Sequence, residues 1–314
     1  ALGSAQSPFM GPLNGIPDYK FAGQAGQTAS DGVTLPNTLD GDSAFMFDAE
    51  RDGSFHAAIT PGTSTVIVPG ATTPSVPAMG QPNRALTTSA ITVAEGTNFN
   101  KNPATGLAYT YSVSFSNVTL DPATNTLSAT YNVSSTDPAF VPPAAQTLNP
   151  IKIGEKGEFN INGLPPGMSM KVTTLPTKAV DGTITPSPAN GDTIKISPQA
   201  SVFSVIDKAI AEIKAAPNSN VAAQAFSQAL ANVDIGLERM SNIRSYAGEL
   251  LNRADRITGD QEKRSVQLES DRSRAEDLDM IKGISDFQNQ QTGYQAALQT
   301  YASVQKLSLF NYIG

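Results

Sequence analysis

The chain of 314 residues has no cysteine, no tryptophan and a single histidine, His56. Without cysteine there is no disulfide framework, no thiolate zinc or iron–sulfur site, and no cysteine nucleophile. One histidine excludes a His-rich metal site and any mechanism that uses two imidazoles. Cations are also in short supply. Lysine and arginine number 21 against 28 aspartates and glutamates, a net charge of −7, which argues against binding the phosphate backbone of nucleic acid. No apolar run approaches the roughly 18 to 20 residues of a membrane span, and the first twenty residues lack the charged and then apolar regions of a signal peptide. Neither nucleic acid nor membrane is expected as a partner.

Glycine and proline are plentiful but unevenly placed. Residues 1–200 hold 21 of the 22 prolines and 19 of the 25 glycines. Both residues punctuate turns and interrupt helices, so the first two-thirds read as strands and turns and the last third as helix. The clearest strand pair lies between Leu107 and Val133. Tyr109, Tyr111, Val113 and Phe115 alternate with small polar residues, Asp121, Pro122 and Asn125 supply a turn, and Leu127, Ala129, Tyr131 and Val133 alternate again. Shorter strands are expected at Thr65–Val68, Ile91–Ala94, Glu158–Ile161, Lys171–Leu175 and Thr193–Ile196, together a small sandwich or barrel-like module. The Pro-rich stretch from Pro69 to Pro82 reads as a loop or linker.

From Ser201 the period changes. Val202, Val205, Ile206, Ala209, Ile210 and Ile213 recur at helical spacing up to Pro217 and Asn218. A second helix restarts near Asn220, with Phe226, Leu230, Val233, Leu237, Met240, Ala247, Leu250, Ala254 and Ile257 along one seam that needs a partner helix. Between Thr258 and Asp277 the stripe thins and ten charges appear, a solvated stretch of helix with Gly259 as its weak point. The stripe returns with Leu278, Ile281, Ile284, Phe287, Tyr294, Leu298, Tyr301 and Val304, and ends in Leu307, Leu309, Phe310, Tyr312 and Ile313.

Three patterns invite a chemical reading. Asp48, Glu50, Asp52 and Gly53 match the opening of a calcium-binding EF-hand loop, but the position that should close the shell with a bidentate glutamate is Ile59. A solvated turn is the better account. His56 is of a residue type that can serve as a general base, yet a lone histidine in Phe-His-Ala-Ala-Ile is more often structural. Glu276, Asp277 and Asp279 cluster on a charged helix, where glycosidase chemistry would require a cleft. No nucleophile elbow, phosphate-cradling loop or dinucleotide fingerprint is present. No catalytic, cofactor-binding or metal-ligating residue is assigned. What resists a bland reading is the C-terminal stripe. A helix of about thirty residues with Ile, Phe, Leu and Tyr along one face cannot stay exposed in water. It folds back through a turn near Gly259 or it assembles with other chains, and assembly is preferred because residues 1–200 offer no long amphipathic helix as partner.

The run EDLDMIKGISDFQNQQTGYQAALQTYASVQKLSLFNYI from Glu276 resembles the C-terminal arm of the flagellin superfamily of bacterial axial proteins. Its ending, Leu307-Ser308-Leu309-Phe310-Asn311-Tyr312-Ile313, is similar to that of the hook-associated protein 3 branch, at the hook–filament junction. Tyr19-Lys20-Phe21-Ala22-Gly23 and Gly191-Asp192-Thr193-Ile194-Lys195-Ile196, leading into Ser201-Val202-Phe203, are similar to segments of the same branch. The family begins with a long N-terminal helix that pairs with the C-terminal arm. This chain opens instead on Ala1-Leu2-Gly3-Ser4, and so reads as lacking that helical arm.

The resemblance implies a non-enzymatic structural adaptor of the flagellum, exported by the type III apparatus to the cell exterior, without cofactors. Its partners would be hook-associated protein 1, flagellin, its own copies in a junction ring, and an export chaperone. The arm would order only when neighbours cover it. Leu278, Ile281, Ile284, Phe287, Leu298, Leu307, Leu309 and Phe310 are the expected assembly residues. The expected fold is α+β, a long C-terminal α-helical coiled-coil core with a β-rich N-terminal or inserted module. Residues 1–17 would be linker, 18–190 the outer module with its variable insertion at about 60–175, 191–257 a helical core segment and 258–314 the assembly arm. A flagellin-like filament subunit, a secreted β-rich adhesin with a coiled-coil stalk and a hydrolase using His56 are the alternatives.

Overall fold

The computed structural model describes residues 7–23, 28–29, 35–36, 39–62, 65–77, 85–216 and 218–313, with the backbone alone for 28–29, 35–36, 65, 75–77, 277–279 and 307–313. It divides into two units, Ala1–Ala247 and Gly248–Gly314. The class is α+β, with the strands in the first unit and the second consisting of helix.

The predicted hairpin is the centre of the first unit. Strands Tyr111–Asp121 and Thr126–Ser135 pair antiparallel in a register that puts Val113 opposite Val133 and Phe115 opposite Tyr131. Their alternation places Tyr111, Val113, Phe115, Leu127, Ala129, Tyr131 and Val133 on one buried face, as a period of two requires. The turn between the strands has Asn125 in the left-handed region at φ 53°, which asparagine tolerates better than most residues. A bulge interrupts the pairing between Ser116 and Thr119, and there the Val118 N–H donates to the Asn190 side chain at 3.0 Å.

Strand Thr193–Pro198 pairs with the hairpin's first strand, and Phe55–Thr60 pairs outside it as the edge of the sheet. Gln146–Thr147 and Ile151–Lys152 complete the six-stranded sheet on the far side. A second sheet, Gly157–Asn160, Lys171–Thr174 and Thr87–Thr88, contributes Val172 and Phe159 to the same apolar cluster. Phe159 meets Phe115 edge-on with ring centroids 6.3 Å apart. The Pro-rich stretch differs in part from its reading as loop. Ser75–Pro77 pairs with Thr65–Val66, because a short strand can place its prolines where no ladder N–H is needed. Its residues 78–82 lie outside the described residues.

Residues 7–17, read from composition as linker, include Phe9–Met10, which pairs with Lys20–Phe21. The Phe9 ring packs against Phe21, Phe45 and Phe203 at 5.2 to 5.3 Å. Helix α1 spans Gly41–Phe45, α2 Ala49–Asp52, α3 Val202–Ala215 and α4 Ser219–Ile313. Ser201 caps α3 by accepting from the Ser204 N–H at 3.0 Å, and α3 stops two residues short of Pro217. Through the charged stretch with its weak point at Gly259, α4 runs on as one helix of 95 residues. A single glycine costs a helix only about 1 kcal/mol, and no proline follows Pro217.

Phe115 is 1% exposed and stands between the sheets. Phe115→Ala should therefore lower the unfolding free energy by about 3–5 kcal/mol, read as a drop in the urea midpoint; a change under about 1 kcal/mol would mean that this face is not the core.

Candidate assembly surface

The sequence puts an apolar stripe on α3 and, on the start of α4, an apolar seam that needs a partner helix. In the first unit Val205 of α3 is buried, but much of both stripes is open to solvent. Ile206, Ile210 and Ile213 of α3 are exposed, as are Phe226 (61%), Leu230, Leu237 (57%) and Met240 of α4. The inward face of α4 is largely polar: Gln224, Gln228, Asn232 and Arg239 lie on it with Ala225 and Gly236, and Ala225, Gln228 and Asn232 are buried.

These side chains bind the edge strand 55–60 through its backbone. The Gln228 amide takes both groups of one residue, accepting from the Ala57 N–H at 2.9 Å and donating to the Ala57 carbonyl at 3.1 Å, and also donates to Thr88 Oγ1 at 2.8 Å. Gln224 accepts from the Thr88 N–H at 3.1 Å. Asn232 donates to the Phe55 carbonyl at 3.1 Å and accepts from the Ser54 hydroxyl at 2.7 Å. A carboxamide carries donor and acceptor on one planar group, so it matches the alternating N–H and C=O of a strand edge. Two turns further on, Arg239 Nη1 donates to Asp52 Oδ1 at 2.9 Å, with side chains only 10% and 6% exposed. Burial pushes the Arg239 pKa down. Gly236 allows the close approach that this docking requires, since a Cβ there would stand 3.0 Å from Val202.

Helix α3 is held by polar contacts alongside its buried Val205 and the packed Phe203 ring. His56 Nε2 lies 2.5 Å from Glu212 Oε1, and Lys208 donates to Gln199 at 2.8 Å with its pKa lowered by burial. Ser204 donates to Asp18 at 2.7 Å and Tyr19 to Asp207 at 2.6 Å. The hydrogen bond to Asp207 holds the Tyr19 phenol up at about 12. His56 thus joins the edge strand to α3, and among the described residues no nucleophile hydrogen bonds to its imidazole.

The EF-hand-like residues form a capped helical turn. Asp48 is the N-cap of α2 and accepts from the Glu50 N–H at 3.0 Å, while Gly53 closes the turn in the left-handed region at φ 60°. Both motifs need an aspartate first and a glycine sixth, which is why the spelling is shared. The carboxylates already have cationic partners, Asp48 with Lys101 at 2.6 Å and Asp52 with Arg51 and Arg239 at 2.9 Å. Burial pushes the Asp48 carboxyl up, but the hydrogen bonds from Lys101 and the Glu50 amide outweigh it and hold its pKa below the usual range.

In the second unit α4 carries Met280, Ile281, Ile284, Phe287 (66%), Tyr294 (68%), Leu298, Tyr301 and Val304, all exposed. Residues 284, 287, 291, 294, 298, 301 and 304 advance by three and four, so they form one stripe about 30 Å long at 1.5 Å per residue. Of the expected assembly residues, Ile281, Ile284, Phe287 and Leu298 lie exposed in this run. Leu278, Leu307, Leu309 and Phe310 lie on α4 with side chains outside the described residues. Away from the stripe the surface is charged: Arg272 pairs with Glu269 at 3.0 Å and with Glu276 at 3.6 Å. Glu276 therefore belongs to a solvated ladder, where such pairs contribute little. No helix among the described residues is long and apolar enough to cross a membrane.

The stripe falls within a recognisable family segment. Residues 230–313 match the family model of the bacterial flagellin C-terminal helical region. This part of α4 is similar to a flagellin C-terminal region. Comparison with curated proteins gave no match. Among solved structures, the chain is similar to flagellar hook-associated protein 3 from Legionella pneumophila at 21% identity and TM-score 0.47, over 80% of this chain and 64% of that one. The flagellar junction protein FlgL from Legionella pneumophila is similar at 20% identity and TM-score 0.47, over 80% and 68%. FlgL from Xanthomonas campestris is similar at 19% identity and TM-score 0.44, over 81% and 66%. The chain thus spans 64% of the length of the first of these structures. The match starts inside the first unit, at Leu230, so it takes in the exposed Leu237 and Met240 as well as the stripe beyond Met280.

Gln228→Ala would leave the Ala57 N–H without its side-chain partner and the Ala57 carbonyl with only the 3.5 Å contact from Gln224 Nε2, and should cost about 2 kcal/mol in chemical denaturation; a loss under about 0.5 kcal/mol would show that the amide clasp does not hold the helix. Because the Asp48 pKa is depressed in the folded state, its contribution is present above the ordinary aspartate pKa and is lost as the pH falls through the folded value. Asp48→Asn should therefore flatten the acid-side decline of the melting temperature; an unchanged slope would overturn that assignment.

Proposed function

We propose that this protein is a non-enzymatic structural component of the bacterial flagellum, acting as an adaptor at the hook–filament junction. The observation that carries the reading is the exposed apolar stripe on a helix whose sequence matches the flagellin C-terminal region. Burying a large aliphatic or aromatic side chain contributes roughly 1.5–3 kcal/mol, so a row of eight in water favours association strongly. A helix in water draws most of its stability from packing an amphipathic face, and this one requires neighbouring subunits to do so.

The junction assignment rests on the ending Leu307-Ser308-Leu309-Phe310-Asn311-Tyr312-Ile313, which is similar to that of hook-associated protein 3 and differs from the usual flagellin ending. On this reading the protein acts outside the cell after export through the flagellar type III apparatus. An export chaperone shields the arm beforehand. Hook-associated protein 1 lies below, flagellin above and copies of the chain to the side. Leu278, Ile281, Ile284, Phe287, Leu298, Leu307, Leu309 and Phe310 form the subunit contacts, and the β-rich region is the outer surface. The chain has no cysteine to cross-link during threading through a narrow channel.

The test is swimming and filament attachment in cells whose only copy is a full-length version carrying Ile284→Ala and Phe287→Ala, or Leu309→Ala and Phe310→Ala. Secreted but unattached flagellin and loss of motility are expected. Normal attached filaments from both variants would overturn the junction role.

A further inference from the structure

Three Asn-Gly pairs occur in the chain, Asn14-Gly15, Asn162-Gly163 and Asn190-Gly191. Glycine after asparagine leaves the following backbone nitrogen unhindered, so that nitrogen can reach the asparagine side chain wherever the local backbone is free to turn. Their surroundings separate the three. Asn190 is held on both sides of the reaction: its Oδ1 accepts from the Val118 N–H at 3.0 Å, and the Gly191 N–H, the attacking group, donates to the Phe115 carbonyl at 2.9 Å. Asn162 is exposed, but its own N–H donates to the Tyr131 hydroxyl at 2.9 Å. Its neighbour Gly163 sits at φ 92° against Pro143, where a Cβ would meet the ring at 2.5 Å. Buried Ile161 and core-packed Leu164 pin the segment at both ends.

Asn14 and Gly15 have none of these restraints. Both are exposed, neither enters a hydrogen bond among the described residues, and the space where a Gly15 Cβ would stand is open to 4 Å. The loop that contains them is closed by the Leu13 N–H donating to the Asp18 carbonyl at 2.7 Å, and the packed Phe9 and Phe21 rings fix the hairpin beneath it. The tip can rearrange while its base stays fixed.

We infer that Asn14 is a site of spontaneous deamidation, the first of the three pairs to react in the folded protein. The Gly15 backbone nitrogen attacks the Asn14 side-chain carbonyl carbon, forming a C–N bond that closes a five-membered succinimide. The side-chain nitrogen leaves as ammonia, taking up the proton lost from the Gly15 N–H. Water then adds to either carbonyl of the ring and opens it to aspartate or isoaspartate. The turn gains a negative charge, and nothing that anchors the hairpin is lost.

The test is peptide mapping by mass spectrometry of the purified chain aged at mildly alkaline pH in ¹⁸O-labelled water, folded and in denaturant. In the folded chain the peptide containing Asn14 should convert first to a labelled aspartate and isoaspartate mixture while Asn190 stays intact. In denaturant Asn190 should lose its protection. Gly15→Ala, which meets no neighbour, should slow conversion at Asn14 and leave the melting temperature unchanged. An intact Asn14 in the aged chain, or folded-state conversion at Asn162 or Asn190 as fast as at Asn14, would overturn the assignment.

Discussion

The edge of the six-stranded sheet is the constraint on which the first unit depends. Strand 55–60 ends the hydrogen-bonded ladder on one side, and a bare strand edge is a template for unwanted pairing. Here the side-chain amides of Gln228 and Asn232 take up the exposed backbone of Phe55 and Ala57. The helix replaces a further strand without having one.

That solution decides which way the helix faces. A helix committed to a strand edge through Gln224, Gln228, Asn232 and Arg239 must turn its apolar residues elsewhere, and Phe226, Leu230, Leu237 and Met240 come out into solvent. Helix α3 repeats the arrangement, with Lys208 and Glu212 directed toward the sheet and Ile206, Ile210 and Ile213 exposed. In most globular proteins the apolar face of a surface helix is used inward. Here hydrogen bonds and ion pairs, with Phe203 and Val205 of α3, hold the helices and leave much of their apolar faces exposed. The exposed stripe of the second unit, from Met280 to Val304, has the same character.

The charged residues that suggested chemistry are absorbed by the same docking. Asp52 receives Arg239 from α4, Asp48 receives Lys101, and His56 meets Glu212 of α3. Each joins segments distant in sequence. A carboxylate in such a pair is positioned by its partner and makes the pair costly to break from one side. The acidic turn that resembles a metal loop and the lone histidine both serve attachment.

The sequence by itself determined the elements whose signal is local. Alternation fixed the buried face of 111–121 and 126–135, the proline and glycine asymmetry separated β from α, and the three-and-four spacing of Ile284, Phe287, Leu298 and Val304 marked the exposed stripe. Only the tertiary structure decided the rest. The polar ladder at 224, 228, 232 and 239 was visible as a spacing, but glutamine and asparagine look alike whether they face water or a strand edge. The difference lies in the backbone groups of Phe55, Ala57 and Thr88, more than a hundred residues away. Apolar periodicity says that a helix has two faces. Which one turns inward depends on the surface it meets, and here that surface is a strand edge whose backbone needs hydrogen bonds more than apolar cover.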